Sequence, residues 1–212
     1  MNNNFFYRCV IYITGLFILS LGIVCMIKSN VGIAPWDALN VALSKRIGLT
    51  IGSWVFIIGT ILILINSLIK RSIPNVAGVI PILIIGAFVD LLNLKILSFM
   101  EIDILFFRWS LFFGGLCILA SGIAIYLRAS FPTVPNDELM LALTERTGWG
   151  INITKTIGEA IAFLLAIVWK GPVGIGTFIV VLCLGLLVGF FDQFLHKVGM
   201  PRYFIVRRNV DE

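Results

Sequence analysis

The chain has 212 residues, of which 59% are apolar and 13% are charged, and its formal net charge is +5. A soluble domain has about 45–50% apolar and about 25% charged residues, so this composition excludes an ordinary soluble protein and predicts a single membrane domain over residues 1–212. The modest positive charge suits a basic face against anionic lipid and requires no nucleic acid as a partner.

Six stretches are apolar and long enough to cross the roughly 30 Å hydrocarbon core of a bilayer as helices. They cover residues 9–28, 51–69, 74–94, 104–127, 151–169 and 172–195. The first follows one basic residue, Arg8, and precedes no small-residue cleavage site, so we interpret it as a span rather than a signal peptide. The sequence therefore predicts an all-α, polytopic membrane protein with six transmembrane helices.

The distribution of basic residues predicts the orientation of these spans. With six crossings, both ends of the chain share one side with the 70–73 turn and the 128–150 loop. That side holds nine lysines and arginines, whereas the other side holds six. The positive-inside rule then places the N-terminus and the C-terminal tail, residues 197–212, in the cytoplasm.

The sequence also contains an internal repeat. Residues 15–53 match residues 115–153 at a constant offset of one hundred, with 14 of 39 positions identical. Shared apolar composition alone would not align Pro, Asp, Arg and Gly in one register. We interpret residues 9–94 and 104–195 as two copies of a unit with three spans. The identical positions include Gly15/Gly115, Gly22/Gly122, Pro35/Pro135, Asp37/Asp137, Arg46/Arg146 and Gly48/Gly148.

An odd number of spans per copy has a topological consequence. The second copy must enter the membrane from the opposite side, which predicts two inverted three-helix repeats. Inverted repeats recur in transporters, whose sites lie near the membrane midplane at the repeat interface. The alternative is a duplication that only built a stable helical bundle.

Each copy carries a short helix after its first span. Proline suits the first helical turn, a carboxylate there meets free N–H groups and the positive end of the helix dipole, and glycine can end a helix. The residues in these places are Pro35 and Pro135, Asp37 and Asp137, and Gly48 and Gly148.

Two interpretations of the short helices stay open. One is an amphipathic helix lying in the membrane interface, with Trp36 as its anchor. The other is a re-entrant half-helix, which is tolerated at membrane depth only where protein or water surrounds it. In that case Pro35, Asp37, Pro135 and Asp137 would line the repeat interface and mark the helix starts around one central site.

The fifth span carries polar residues on one face, at Asn152, Lys155 and Glu159. At 1.5 Å per residue, Glu159 lies about 12 Å from the start of the span, where a carboxylate is costly unless it is paired, protonated or facing water. The spacing lets Lys155 reach it, so a structural ion pair is one explanation. Because intramembrane carboxylates are usually functional, we favour a substrate or proton site at these three residues. The first copy has Gly59 at the position of Glu159, which leaves room there.

Other kinds of site receive no support from the sequence. The four cysteines lie in spans or at span edges without a C-x-x-C pair, and the chain has one histidine. We therefore expect no cofactor, no metal site and no catalytic residues, and we do not expect an enzyme. The small-xxx-small pair Gly185 and Gly189 is compatible with a homo-oligomer but equally with packing inside the chain.

One stretch resembles a known family. The sequence GLFILSLGIVCMIKSNVGIAPWDALNVALSKRIGLTIG is similar to the opening of bacterial YczE-like membrane proteins, in the broad YczE/YyaS/YitT grouping. The resemblance rests on an apolar helix with L-G-I, then G-x-x-P-W-D-x-L, and it covers most of the chain. It implies a six-span protein of the bacterial plasma membrane. The grouping is often labelled as transporters without a defined substrate, so it supplies no binding residues. The second copy departs from the pattern, with Asn136 at the position of Trp36.

These observations predict a small secondary transporter or channel for a small solute. A carboxyl group in apolar surroundings favours its protonated form, so Glu159 would suit proton coupling. Two alternatives remain, a membrane accessory or scaffold protein and a substrate-binding subunit of a larger transport complex.

Overall fold

The structure is a computed structural model that describes residues 2–100 and 102–200. Throughout that part of the chain it consists of helices joined by short connections. Short turns of 3₁₀ geometry (Val76–Gly78) and π geometry (Leu92–Ile96) extend the fourth helix at its two ends. The helices are α1 (Asn2–Ser29), α2 (Pro35–Ile47), α3 (Ile51–Lys70), α4 (Val79–Leu91), α5 (Leu105–Arg128), α6 (Pro135–Thr147), α7 (Ile151–Val168) and α8 (Ile175–Lys197).

The six predicted spans are confirmed as long apolar helices. Helices α1, α3, α5, α7 and α8, and α4 with its two flanking turns, are each long and apolar enough to cross a bilayer. The chain is thus a multi-pass membrane protein. The predicted C-terminal tail lies mostly outside the described residues, which end at residue 200.

The short helices α2 and α6 begin and end where the sequence predicts. Pro35 and Pro135 occupy the first helical turn, and an aspartate follows in that turn of each helix. Gly48 and Gly148 end the helices with φ angles of 100° and 74°, which glycine adopts without the steric penalty of a side chain.

Helices α1 and α5 pack antiparallel along a seam of glycines. A methyl group built on Gly15 would lie 2.5 Å from the Tyr126 nitrogen, and one built on Gly115 would lie 3.0 Å from the Cys25 Cβ. Gly22 lies equally close to the backbone of Leu119, and Gly122 lies equally close to the backbone of Leu19. Only small residues allow two helix backbones to approach this closely, so the glycines that the repeat shares hold α1 and α5 together.

Two arginines join the opposite ends of this seam. Near the start of α1, Arg8 donates hydrogen bonds to the carbonyl oxygens of Ala129 and Ser130 at the end of α5, at 2.9 and 3.0 Å. Near the start of α5, Arg108 donates to Ser29 at the end of α1, at 2.9 Å, and also to the following residue. Each arginine satisfies carbonyl groups that a helix end leaves without intrahelical partners.

The short helices are packed inside the bundle, where each contacts both α3 and α7. The first half of α2 is buried on both faces, while its last residues are exposed. Trp36 is only 9% exposed and faces the interior. The interpretation of Trp36 as an anchor in the membrane interface is therefore wrong, because the helix face that appeared lipid-facing packs against other helices.

Two further helix pairs differ in how closely they approach. Helix α3 packs on α4 through Gly52 and Gly86, where a methyl group on Gly86 would lie 2.7 Å from the Gly52 carbonyl oxygen. Among the described residues, α7 and α8 have almost no close backbone contact. Helix α8 packs against α5 instead, which leaves a cleft between α7 and α8.

Candidate functional site

A cavity of about 140 Å³ lies at the centre of the helical bundle. All eight helices, or the residues that directly precede them, contribute to its lining, which is mostly apolar. A water molecule needs roughly 10–15 Å³ by this kind of measure, so the space is sufficient for several waters or a small solute. The polar groups on its wall are Asp37, Asn40, Tyr126, Asn136, Asp137 and Glu159.

The structure brings three of the predicted site residues to this one cavity. Asp37 comes from the start of α2, Asp137 from the start of α6 and Glu159 from α7. Pro35 and Pro135 are buried at the same two helix starts and set the direction in which the helices leave the cavity.

The other two predicted residues lie to one side of the central cavity. Lys155 lines an adjoining pocket of about 90 Å³ together with Asp137 and Glu159. Asn152 is exposed and lies in the cleft between α7 and α8, beside Lys155. The predicted polar face of α7 therefore extends from the cleft to the cavity.

The ion pair that the spacing of Lys155 and Glu159 allows is absent from the described residues. Neither a hydrogen bond nor an ion pair joins them, and the buried Oε2 atom of Glu159 has no hydrogen-bond partner there. Lys155 instead extends across the cleft, where its Nζ atom lies 3.6 Å from the position of a Cβ built on Gly185 of α8. Sequence spacing permitted the pair, but the open space beside α8 accepts the lysine side chain.

Tyr126 holds the Asp137 carboxylate at the cavity wall. Its hydroxyl group donates a hydrogen bond of 3.0 Å to Asp137 Oδ2. Tyr126 belongs to α5 and is 1% exposed, so its ring is fixed by packing. Met26 is the residue that corresponds to Tyr126 in the first half of the sequence, so it cannot donate an equivalent hydrogen bond to Asp37.

Both helix-start aspartates lie outside the six spans, and the surrounding protein shifts their pKa values. Burial raises the pKa of Asp37, and the negative charge of Glu159 adds to that effect. Burial also raises the pKa of Asp137, although the Tyr126 hydrogen bond and the positive charge of Lys155 oppose the shift. Asp137 is exposed as a whole residue, and it lines both the central cavity and the adjoining pocket. Both carboxyl groups therefore favour the protonated form more than they would in water.

Asn40 is a site residue that the sequence did not single out. It lies on the same face of α2 as Asp37, lines the cavity and is 5% exposed. Its side-chain carbonyl oxygen has no hydrogen-bond partner among the described residues. Its place three residues after Asp37 was a usable signal, but the sequence could not show that this face is buried.

Asn66 was also missed, and it helps to place the second short helix. It is 2% exposed within α3, and its Nδ2 atom donates a hydrogen bond of 2.9 Å to the Pro135 carbonyl oxygen. This contact fixes the start of α6 against α3, beside the cavity.

The cleft between α7 and α8 has two parts, of about 390 and 200 Å³. Glu159 lines both parts, and it also lines the central cavity and the adjoining pocket. The Glu159 side chain thus lies where the interior of the bundle meets the cleft. The rest of the cleft wall is mostly apolar, and Phe178 and Leu182 on that wall are largely exposed.

The unsatisfied groups of the central site are hydrogen-bond acceptors. The carbonyl oxygen of Asn40 and one carboxylate oxygen of Glu159 lack donors, and two further carboxyl groups stand on the same wall. No group of three or more His, Cys, Asp or Glu side chains in the described ranges is arranged to hold a metal ion. The arrangement can accept hydrogen bonds from a bound solute and can exchange protons with it.

Comparison with known proteins agrees with the membrane architecture. The model of a family of unknown function, DUF6198, matches residues 6–193. The uncharacterized protein YyaS of Bacillus subtilis (strain 168) is 40% identical over 174 residues, covering 82% of this chain and 86% of the relative. The uncharacterized membrane protein YczE of the same organism is 31% identical over 211 residues, covering 98% and 95%.

A more distant relative comes from another bacterium. An uncharacterized protein of Haemophilus influenzae is 27% identical over 188 residues, covering 89% of this chain and 84% of the relative. No solved structure matches the chain. The resemblance to YczE-like membrane proteins that the sequence motifs indicate is confirmed by these matches.

Proposed function

The chain belongs to the family of unknown function DUF6198, and we propose that it is a small secondary transporter or channel of the bacterial plasma membrane. The observation that carries this proposal is the convergence of both short-helix starts and Glu159 on one central cavity. Sites of secondary transporters typically combine helix starts at membrane depth with a buried ionisable residue. The solute is a small molecule, because the cavity measures about 140 Å³.

The contacts between α1 and α5 support an arrangement as two inverted repeats, residues 9–94 and 104–195. Gly15 contacts Tyr126, while the corresponding Gly115 contacts Met26, the residue that corresponds to Tyr126. The two arginines show the same reciprocity, because Arg8 donates to Ala129 and the corresponding Arg108 donates to Ser29. In both cases, a contact between one residue of α1 and one of α5 recurs with the two corresponding residues exchanged between the helices. A two-fold axis produces reciprocal contacts of this kind.

In this proposal α2 and α6 are re-entrant half-helices. Each starts in the buried interior at the cavity, and each ends in exposed residues. Alternating access would consist of movement of the α3–α4 pair and of α7 relative to the tight α1–α5 seam, against which α8 packs. Glu159 would take up and release the coupling proton, since it borders both the cavity and the cleft.

Purified protein in liposomes tests the proposal directly. Currents would be recorded on solid-supported membranes after addition of amino acids, sugars, alkali-metal chlorides or organic amines. We expect at least one solute class to produce a current that empty liposomes lack. Glu159→Gln should lower that current at least tenfold, because it removes the group that carries the proton.

The matched control is Glu145→Gln, which makes the same chemical change on a side chain that is 57% exposed near the end of α6. Its current should equal that of the unmodified protein. Absence of any current with all four solute classes would overturn the transport proposal. A full current in the Glu159→Gln variant would overturn the role of Glu159 alone.

The cytoplasmic placement of both termini also belongs to this proposal. Arg46 and Arg146 are exposed at equivalent positions near the ends of the short helices. In a variant without native cysteines, Arg46→Cys should react with a membrane-impermeant thiol reagent in intact cells, and Arg146→Cys only in opened cells. Labelling of both from the same side would contradict the inverted arrangement.

One observation favours the alternative of an accessory protein or a substrate-binding subunit. Helices α7 and α8 are the spans least covered by the rest of the chain, so a partner could pack against them. A stable complex isolated with a second membrane protein or an ATPase, together with transport only by that complex, would establish this alternative.

A further inference from the structure

We propose that the protein binds amphipathic primary amines, with the ammonium group in the central cavity at Glu159 and Asn40 and the alkyl chain in the α7–α8 cleft. This inference rests on the proposed function, since it names the substrate class of the same cavity. It adds a route, namely entry from the bilayer between α7 and α8.

The first argument is the mismatch of donors and acceptors in the cavity. Asn40 is 5% exposed, and its carbonyl oxygen has no donor among the described residues. The buried Oε2 atom of Glu159 also has none. A buried acceptor without a donor is costly, and a primary ammonium group offers three N–H donors.

The second argument is charge. The central cavity and its adjoining pocket are lined by three carboxyl groups, on α2, α6 and α7, and by one ammonium group, that of Lys155. Among the described residues, the Tyr126 phenol from α5 is the other titratable group on the wall, and α1, α3, α4 and α8 add apolar residues and Gly59 to the central lining. A bound cation would stabilise the ionised forms of these carboxyl groups, which burial disfavours, whereas a bound anion would disfavour those forms further.

The third argument is the shape and position of the cleft. Its apolar wall is formed by side chains of α7 and α8, among them Phe163, Phe178 and Leu182, and it adjoins Glu159. Leu182 is 74% exposed, so the cleft opens towards the hydrocarbon region of the bilayer. An alkyl chain placed there would keep its apolar environment while its ammonium group reaches Glu159.

In the first half of the chain, the described helices α3 and α4 are packed more closely than α7 and α8. There Gly52 and Gly86 bring α3 and α4 into backbone contact, and Ile82 packs against Gly59, the counterpart of Glu159. Among the described residues, an open cleft and a carboxyl group therefore occur together only beside α7, where Asn40 of α2 adds its acceptor atom to the same cavity.

Isothermal titration with octylamine tests the inference on full-length protein in lipid nanodiscs, with empty nanodiscs as the background. Three related probes separate the parts of the ligand. Octyltrimethylammonium has the charge and the chain but no N–H donor, methylamine has the donor but no chain, and octanoate has the opposite charge. We expect octylamine to bind at least tenfold more tightly than each of the three.

Variants locate the two parts of the ligand. Glu159→Gln and, independently, Asn40→Leu should each weaken octylamine binding at least tenfold. Gly185→Leu should weaken it by filling the cleft, and it should fold because a Cβ there meets only the flexible end of Lys155. The matched control is Gly189→Leu, one turn further along α8, where a Cβ would have no neighbour within 4 Å, and its binding should be unchanged.

Several outcomes would overturn the inference. Equal affinity for octylamine and octyltrimethylammonium would show that N–H donors are not recognised. Equal affinity for methylamine would exclude the cleft, and unchanged binding by the Gly185→Leu variant would exclude its larger part, which Gly185 and Leu182 line. Absence of octylamine binding would contradict the inference, and the cleft would then be interpreted as a site that only membrane lipid fills.

The same assay separates this inference from the transport proposal. Octylamine binding without any current in liposomes would support the amine-binding site and contradict the transport proposal. Transport of another solute without octylamine binding would support the transport proposal and contradict the amine-binding site.

Discussion

The helix pairs α3–α4 and α7–α8 occupy corresponding places in the two halves of the chain but differ in their packing. In the first pair, Gly52 and Gly86 allow backbone contact. In the second, Asn152 stands at the position of Gly52 and Glu159 at the position of Gly59, and the helices remain apart. The second half thus has polar residues at two positions where the first half has glycines, and there the two helices leave an opening.

The aspartates near the ends of α4 and α8 show the same divergence. Asp90 accepts a hydrogen bond of 2.6 Å from Thr50 and one of 2.8 Å from the Gly52 nitrogen, which ties α4 to the start of α3. Asp192 instead pairs with the buried Arg128 of α5, at 3.0 Å. One aspartate closes its helix pair, while the other attaches α8 to a different neighbour.

The largest loss of stability is expected from adding a methyl group where the backbones of α3 and α4 are in contact. A methyl group in Gly52→Ala would lie 2.6 Å from the Asp90 carboxylate and would also meet the Gly86 carbonyl oxygen. Because the backbone cannot move aside easily, we expect the free energy of unfolding to fall by about 3 kcal/mol, the upper end of the usual cost of overpacking. Titration with SDS in mixed micelles measures this change.

Gly114→Ala is the matched control for that variant. Gly114 lies within the α5 span, and a Cβ there would have no neighbour within 4 Å. Its unfolding curve should match that of the unmodified protein. Equal stability of Gly52→Ala and Gly114→Ala would show that α3 and α4 do not make the close contact.

A smaller loss of about 2 kcal/mol is expected for Asp192→Asn. This change leaves the Arg128 guanidinium, which is 2% exposed, without its carboxylate. The estimate is below the usual cost of breaking a buried pair because the Asp192 side chain is 26% exposed. The same SDS titration applies, and the double variant Arg128→Met/Asp192→Leu should recover part of the loss. A double variant less stable than Asp192→Asn would contradict this account.

The smallest effect, about 1 kcal/mol, is expected for Asp90→Asn, because the amide oxygen can still accept one of the two hydrogen bonds. Unfolding in SDS again supplies the measurement, with the exposed Asp103→Asn as a control of equal chemistry. If Asp90→Asn were more damaging than Asp192→Asn, the comparison of the two helix ends would be reversed.

Much of the fold could be predicted from the sequence. Runs of apolar residues are enough to locate six spans, since hydrocarbon thickness sets their length. The bounds of α2 and α6 followed from proline at the start and glycine at the end, where backbone geometry restricts the choice of residue. The convergence of the two helix starts, with Asp37 and Asp137, was one of two open alternatives, whereas the position of Glu159 beside them was not predicted.

Contacts between helices that are distant in the sequence could not be predicted. Arg128 was expected to contribute to a basic cytoplasmic face, yet it is buried and paired with Asp192. Hydropathy does not record which spans are neighbours, so it could reveal neither this pair nor the α7–α8 cleft. Lys155 illustrates the same limit. Helical spacing shows that its side chain is long enough to contact Glu159, but it does not show that the side chain extends into the cleft beside α8 instead.

The glycine seam between α1 and α5 also has a consequence for biogenesis. Helix α1 is synthesised first, but the surface that covers its glycine face begins only at Leu105, after α3 and α4 have been made. Helix α1 therefore exists without its main packing partner while α3 and α4 are being made. The central axis of the protein is completed only during synthesis of the second half of the chain.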